Sequence, residues 1–304
     1  MDEYYWGIDL GGTKIEAVVT THSMTPVIRR RIASEASGGY SHILERIRHL
    51  VETVSLESGI APPSLIGIGT PGRYDAVQGV MKNSNTVCLN GRNLKNDLER
   101  LLKRAIVLEN DANCFALAES MLGAGASLMR DPSKLAFGII LGTGVGGALV
   151  CGGHARRGAH GIAGEWGHNE LIPGGEHCYC GKRGCVETVI SGPALERYYQ
   201  QLSGNFKPLE QIASDYDSDG AAAATIQRLL FYFGKALAAV INIIDPDCCI
   251  LGGGVGRVEQ LYSPQAVQAI ERHLFNSELR ISLLKPLLGD SAGVFGAALL
   301  TQAV

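Results

Sequence analysis

A strand, a glycine turn carrying threonine, and a returning strand occur twice in this chain, roughly 130 residues apart. The first copy is Tyr4 to Asp9, Leu10-Gly11-Gly12-Thr13-Lys14 and Ile15 to Thr20. The second is Leu135 to Leu141, Gly142-Thr143-Gly144-Val145-Gly146-Gly147 and Ala148 to Cys151. A unit repeated in this way points to internal duplication, and so to two related α/β lobes with a cleft between them. The length of 304 residues agrees, being about twice that of a usual single domain. Turns without a Cβ let anionic oxygens approach preoriented N–H groups. One such turn alone would make only a hairpin. Two of them argue for a polyphosphate held at Gly11, Gly12, Thr13 and Lys14 and at Gly142, Thr143 and Gly144. Neither turn has the Walker spacing, and Gly-x-Gly-x-x-Gly is absent after Asp9.

Hydrophobic and charged contents of 46% and 19% are ordinary for a globular enzyme. A net charge of −3 argues against binding nucleic acid by bulk electrostatics. Arg29-Arg30-Arg31 is expected on a solvated strand edge. Eight cysteines without a signal peptide do not make a disulfide framework, and Cys88, Cys114, Cys151, Cys248 and Cys249 are expected as buried thiols. No apolar run is expected to span a bilayer, which places the chain in the cytoplasm on this reading.

Between the two copies, helical periodicity covers 40–58, and helices are expected over 94–103 and Ala112 to Leu122. Strands are expected over Leu65 to Gly69 and Ile106 to Leu108. Later, 221–244 reads as a long apolar helix stopped by Asp245-Pro246, and Cys248 to Leu251 as a strand before Gly252-Gly253-Gly254. A helix from Tyr262 to Phe275 follows, and Gly289 to Gly293 should cap a final helix to Leu300. The expected division is 1–110 for the first lobe, with the helix in 290–304 packing at the junction, and 111–289 for the second.

Cys178, Cys180 and Cys185 fall within eight residues, ten residues after Gly164-Glu165-Trp166-Gly167-His168. Three thiolates and an imidazole suit a tetrahedral Zn²⁺ with no open position, so the ion would be a clamp. His168 and His177 compete as fourth ligand; His168 is favoured because it closes the larger loop. Its other ring nitrogen could then face a substrate hydroxyl. The zinc segment 165–187 also carries Glu165 and Glu187. Asp9, before the first turn, can hold Mg²⁺ through its water shell or cap the turn. Asn110-Asp111 stands between a strand end and a helix start, where ligands bind in α/β lobes and where aspartate also caps helices. Asp111 could accept a hydroxyl proton there while Asn110 orients a neighbouring hydroxyl. Asn83, Ser84 and Asn85 make a polar loop able to read sugar hydroxyls.

With these residues in hand, the chain resembles the ROK family of bacterial sugar kinases over essentially its whole length. The matching segments are Asp9 to Lys14, Gly69-Thr70-Pro71-Gly72, Asn110-Asp111-Ala112-Asn113, Leu141 to Gly147, Gly164 to His168 and Cys178 to Glu187. The resemblance implies a two-lobed actin-like ATPase fold, a duplicated ribonuclease H-like α/β architecture with a small zinc-bound loop. It implies ATP between the lobes with Mg²⁺, a hexose deeper in the cleft, and Asp111 as base for the sugar 6-hydroxyl. Sugar contacts would come from Gly72, Asn85, Asn110, Glu165, His168 and Glu187, while Gly253 and Gly254 would approach adenosine. His168, Cys178, Cys180 and Cys185 would bind structural zinc. Expected partners are a hexose and ATP, with no nucleic acid or membrane, in a homodimer. Lys82 to Thr86 with Leu89-Asn90-Gly91 looks most like the fructokinase branch, although Cys88 replaces the tryptophan expected there. N-acetylglucosamine kinase, glucokinase and N-acetylmannosamine kinase are the alternatives. A sugar-responsive repressor of the same family is disfavoured, because the first strand begins near Tyr4 and leaves no room for a helix-turn-helix.

Overall fold

The computed structural model describes residues 4–302. In chain order it opens with strands β1 (Tyr4–Leu10), β2 (Lys14–Thr21) and β3 (Pro26–Ala33), then helix α1 (Tyr40–Ser58) and strand β4 (Leu65–Thr70). Two short strands, β5 (Arg73–Asp75) and β6 (Val80–Lys82), precede α2 (Leu94–Leu102), β7 (Ala105–Asn110) and α3 (Asp111–Met121). The second glycine turn joins β8 (Leu135–Leu141) to β9 (Val145–Cys151), and β10 (His154–Ala155) follows. Then come α4 (Val186–Ile190), α5 (Gly192–Ser203), α6 (Leu209–Ser214), α7 (Gly220–Ile244), β11 (Cys248–Gly252) and α8 (Gly253–Gly256). Helix α9 (Pro264–Glu271), strand β12 (Ser282–Leu284) and helix α10 (Ala292–Leu299) complete the chain.

Two compact units result. The first takes the chain up to Gly123, Gly153–Gly161, and everything from Leu288 onward. Its sheet runs β3-β2-β1-β4-β7. β1 is antiparallel to β2 and parallel to β4, and β4 is parallel to β7. One core of Trp6, Ile8, Ile43, Ile47, Leu50 and Ile66 lies between this sheet and α1. On the sheet's other face sits α10, admitted by glycine. Gly7 and Gly67 are register partners on β1 and β4. A Cβ on Gly67 would stand 1.8 Å from the Ala297 carbonyl oxygen, and one on Gly7 would stand 2.3 Å from that of Val294. α10 also packs against α3, which the sequence reading had placed in the other lobe.

The second unit comprises Ala124–Gly152 and Ile162–Leu287. Its strands repeat the pattern of the first: β9 antiparallel to β8, then β11 and β12 parallel in order. The expected duplication is therefore visible in topology. Its core gathers Phe137, Ile139, Leu229, Phe233, Leu237 and Leu251.

Several expectations need correction. Helix α7 is long and apolar enough to cross a membrane by length and composition, contrary to the sequence reading; its buried side chains belong to the core of this unit. The helix expected over 262–275 is only α9, because Ser263 caps it, Pro264 starts it, and Asn242 takes the Phe275 N–H that would prolong it. Ser291 does not cap α10; its hydroxyl accepts from Arg29 and donates to the buried Glu16. Cys88 and Cys151 are half-buried rather than buried, while Cys114, Cys248 and Cys249 are buried as expected. The arginine run does lie on the edge strand β3, yet Arg29 and Arg31 are the counter-charges of Glu16.

Candidate active site

In the first unit, Asp9 is the last residue but one of β1, and the turn Gly11–Lys14 closes with the Gly11 N–H on the Lys14 carbonyl at 2.9 Å. Gly12 and Thr13 are exposed, as a turn that receives a ligand must be. Asp9 is half-buried. Burial raises its proton affinity first, and the negative charges of Asp111 and Glu16 raise it further, against Lys14 and Arg31, bringing its pKa to about 7. A carboxyl group held on the edge of ionisation is one that a nearby divalent cation would readily deprotonate.

The strand–helix junction places Asp111 at the first position of α3, where its Oδ1 accepts the Ala112 N–H at 2.9 Å. Asn110 occupies the last position of β7. Its Oδ1 shares the same N–H at 3.0 Å, and its Nδ2 donates to the Gly72 carbonyl at 2.9 Å. Asn110 therefore ties the Gly72 turn to the helix start, a structural task its sequence context did not announce. Gly72 has φ +77°, and a Cβ there would meet the Lys82 carbonyl at 2.5 Å, so both conformation and space demand glycine. The polar loop is shaped by a reciprocal pair: Ser84 N–H to Asn90 Oδ1 and Asn90 Nδ2 to the Ser84 carbonyl, both 2.9 Å. Asn85 beside it is exposed. Sequence reasoning missed Glu109, a buried acid whose Oε1 accepts from the Asn110 N–H at 2.9 Å.

In the second unit, the turn Gly142–Gly144 is closed by the Gly142 N–H on the Gly144 carbonyl at 2.9 Å. Thr143 is exposed at its tip. Glu187, on α4, accepts the Val145 N–H at 2.9 Å, and a Cβ on Gly144 would stand 2.6 Å from its carboxylate oxygen. Glu187 thus braces this turn, besides any contact with substrate. Gly253 has φ +81°, with its Cβ position 2.2 Å from the Leu141 carbonyl oxygen. Gly253 and Gly254 are exposed at the head of α8. Glu165 is exposed and precedes a helical turn, Trp166–His168, pinned by the Trp166 indole on the Gly146 carbonyl.

The ligand atoms of His168, Cys178, Cys180 and Cys185 lie within 4.8 Å of one another. The Cys180 and Cys185 sulfurs are 3.7 Å apart, and the Cys178 sulfur is 3.5 Å from His168 Nδ1. Four ligands around a Zn²⁺ at ordinary bond lengths would give a sulfur–sulfur edge of about 3.8 Å and a sulfur–nitrogen edge of about 3.6 Å. The donor set therefore fits a tetrahedral ion. His177 stands outside it, on Arg183. His168 Nε2 meets the Tyr179 hydroxyl at 3.1 Å, so tyrosine, unremarked in the sequence, holds the nitrogen expected to face substrate.

A hollow of about 820 Å³ is lined by Tyr4, Pro62, Pro63, Lys103 and Arg104, at the starts of β4 and β7. None of the candidate site residues lines it, and it lies at the opposite strand ends from Thr70 and Asn110.

Comparison with known proteins bears on the family and the fold. An N-acetyl-D-glucosamine kinase of Photobacterium profundum is 34% identical, with 97% of this chain and 98% of that protein aligned. A ROK hexokinase structure from Thermus thermophilus superposes with a TM-score of 0.85 at 32% identity, covering 97% of each chain. A ROK family glucokinase from Streptomyces griseus, in complex with glucose and AMPPNP, does so at 0.80 and 28% identity, covering 99% of this chain and 100% of that one. With the ROK family profile matching residues 5–304, this chain belongs to the ROK family.

Proposed function

We propose that this protein is an ATP-dependent sugar kinase that moves the γ-phosphoryl group to a hexose hydroxyl, the 6-hydroxyl, with Asp111 as base. The observation that carries the reading is the carboxylate pair: Asp111 on the first position of α3, in the field of Asp9 just before the Gly-Gly-Thr-Lys turn. Phosphoryl transfer asks the protein for alignment, charge neutralisation and one proton acceptor. Asp111 supplies the acceptor, its Oδ1 fixed by the Ala112 N–H. The turns at 11–14 and 142–144 offer N–H donors to phosphate oxygens, and Gly253-Gly254 offers the bare backbone that adenosine can approach. Asn85, Asn110, Glu165, His168 and Glu187 are assigned to the sugar. Mg²⁺ bound with ATP would neutralise phosphate charge, with Asp9 as its protein partner. Zinc at His168, Cys178, Cys180 and Cys185 would stabilise the segment that carries Glu165 and Glu187.

For the sugar, N-acetylglucosamine and glucose come first, since these are the sugars named in the relatives above. The expectation of fructose finds no support there. A coupled ATP assay over N-acetylglucosamine, N-acetylgalactosamine, glucose, mannose, N-acetylmannosamine and fructose ranks them by kcat/KM. Asp111→Asn should cut kcat about 10²- to 10⁴-fold while sugar and nucleotide still bind. Near-normal turnover in that variant removes the base, and tight sugar binding without turnover in the parent favours a sensor.

A further inference from the structure

Glu109 precedes the Asn110-Asp111 pair and is 9% exposed, and every contact of its carboxylate bears on that turn. Its Oε1 accepts the Asn110 N–H at 2.9 Å and the Asn113 side-chain amide at 2.8 Å. Its Oε2 receives Arg157 Nε at 2.6 Å, and Arg157 Nη2 continues to the Leu108 carbonyl at 3.3 Å. One carboxylate thus fixes the backbone before Asp111 and the helix turn after it, and one arginine from the segment 153–161 holds that carboxylate in place.

Charges of both signs gather around this junction. Asp9 on β1, Glu16 on β2, Glu109 on β7 and Asp111 on α3 are acidic, and the buried Cys114 thiol on α3 is raised by burial and then by Glu109, Asp9 and Asp111, against Arg157. Opposing them are Lys14 on β2, Arg29 and Arg31 on β3, and Arg157; the elements packed against β7 and α3 also bring His154 on β10, Arg73 and Asp75 on β5 and Glu99 on α2, and α3 itself carries the buried Glu119. Arg29 and Arg31 are committed to Glu16, which leaves Arg157 as the partner of Glu109.

We propose that Glu109 and Arg157 are positioning residues for phosphoryl transfer, clamping the Asn110–Asp111 turn and balancing the charge gathered around it without touching substrate. The proposal rests on Asp111 being the base. Removing Arg157 leaves a buried carboxylate uncompensated beside the base, and that raises the base's affinity for a proton. Removing the charge of Glu109 does the reverse.

The test is a set of four proteins: the parent, Arg157→Gln, Glu109→Gln and the double variant. Titration of ¹³C-labelled aspartate carboxyls by NMR, with the Asp111 signal assigned from Asp111→Asn, reads the charge directly. The acid limb of kcat/KM reads it through turnover. Arg157→Gln should move both upward by about half a unit to one unit, Glu109→Gln should move both downward, and the double variant should return close to the parent. Arg157→Lys should restore the titration. Arg157 is 60% exposed, so its loss should leave folding intact; melting of each variant checks this. An Asp111 titration identical in all four proteins overturns the proposal, as does a fall in activity that tracks melting temperature with no shift of the acid limb. If no hexose is turned over by the parent, the kinase reading fails, and the NMR arm still decides the clamp.

Discussion

Asp9→Asn should make the first unit more stable at neutral pH, and by an amount that depends on pH. The folded chain keeps a proton on Asp9 up to about pH 7, whereas an unpaired aspartate releases it near its ordinary value of 3.8. Between those values the folded state binds more protons, so stability falls as pH rises from about 4 to 7 and levels off above. A separation of about three units is worth about 4 kcal/mol at the plateau, of which about 2 to 3 kcal/mol is lost between pH 5 and pH 8. Asparagine keeps the shape and cannot ionise. The two tryptophans make the measurement local: Trp6 is in β1, while Trp166 is in the other unit. In a Trp166→Phe background without nucleotide or added metal, urea unfolding followed at Trp6 should show the variant's advantage growing by about 2 to 3 kcal/mol from pH 5 to pH 8. An advantage that stays constant with pH, or shrinks, refutes the reasoning. The same variant should be impaired in turnover, which would make Asp9 a group retained for function at the expense of stability.

Chelation, or Cys180→Ser, should release the clamp ion, expose 168–187 to protease and change the environment of the buried Trp166 while leaving Trp6 undisturbed; an equal response at both tryptophans would mean general unfolding. Gly67→Ala should destabilise by about 3 kcal/mol, because its new methyl group must push the Ala297 carbonyl and α10 aside. Gly220→Ala, with nothing within 4 Å of its Cβ position, is the matched control, and equal melting temperatures in the two would show that α10 does not press on the sheet as described.

Elements with a strong period or a hard stop were legible in the sequence. Helix α1 was found over its full span because Ile43, Ile47, Leu50, Val51 and Val54 form one apolar stripe, and α7 because Asp245 ends it in the left-handed conformation. The end of α9 was not legible, since it depends on Asn242, 33 residues away from Phe275 in the chain. Likewise Ser291 looked like a cap and serves Glu16, a partner 275 positions earlier. At the candidate site, the residues assigned to a ligand are those that the motifs single out. Those that hold the motifs in shape, Glu109, Asn90 and Tyr179, were missed, because their partners are set by folding and not by spacing. Glu109 could have been suspected as a charged residue in an otherwise apolar strand, Ile106 to Leu108, that ends in a functional pair.

The glycine groove on β1 and β4 has a consequence for the order of events during synthesis. Its filling helix, residues 292–299, follows every strand of both units in chain order, yet it lies against β1, which precedes them all. On the ribosome the opening sheet must wait with one apolar side uncovered, while the second unit has all its own strands in hand by residue 284. Completion of the first unit's sheet is thus postponed until residues 292–299 are made, and loss of that short stretch would damage a part of the molecule formed long before it.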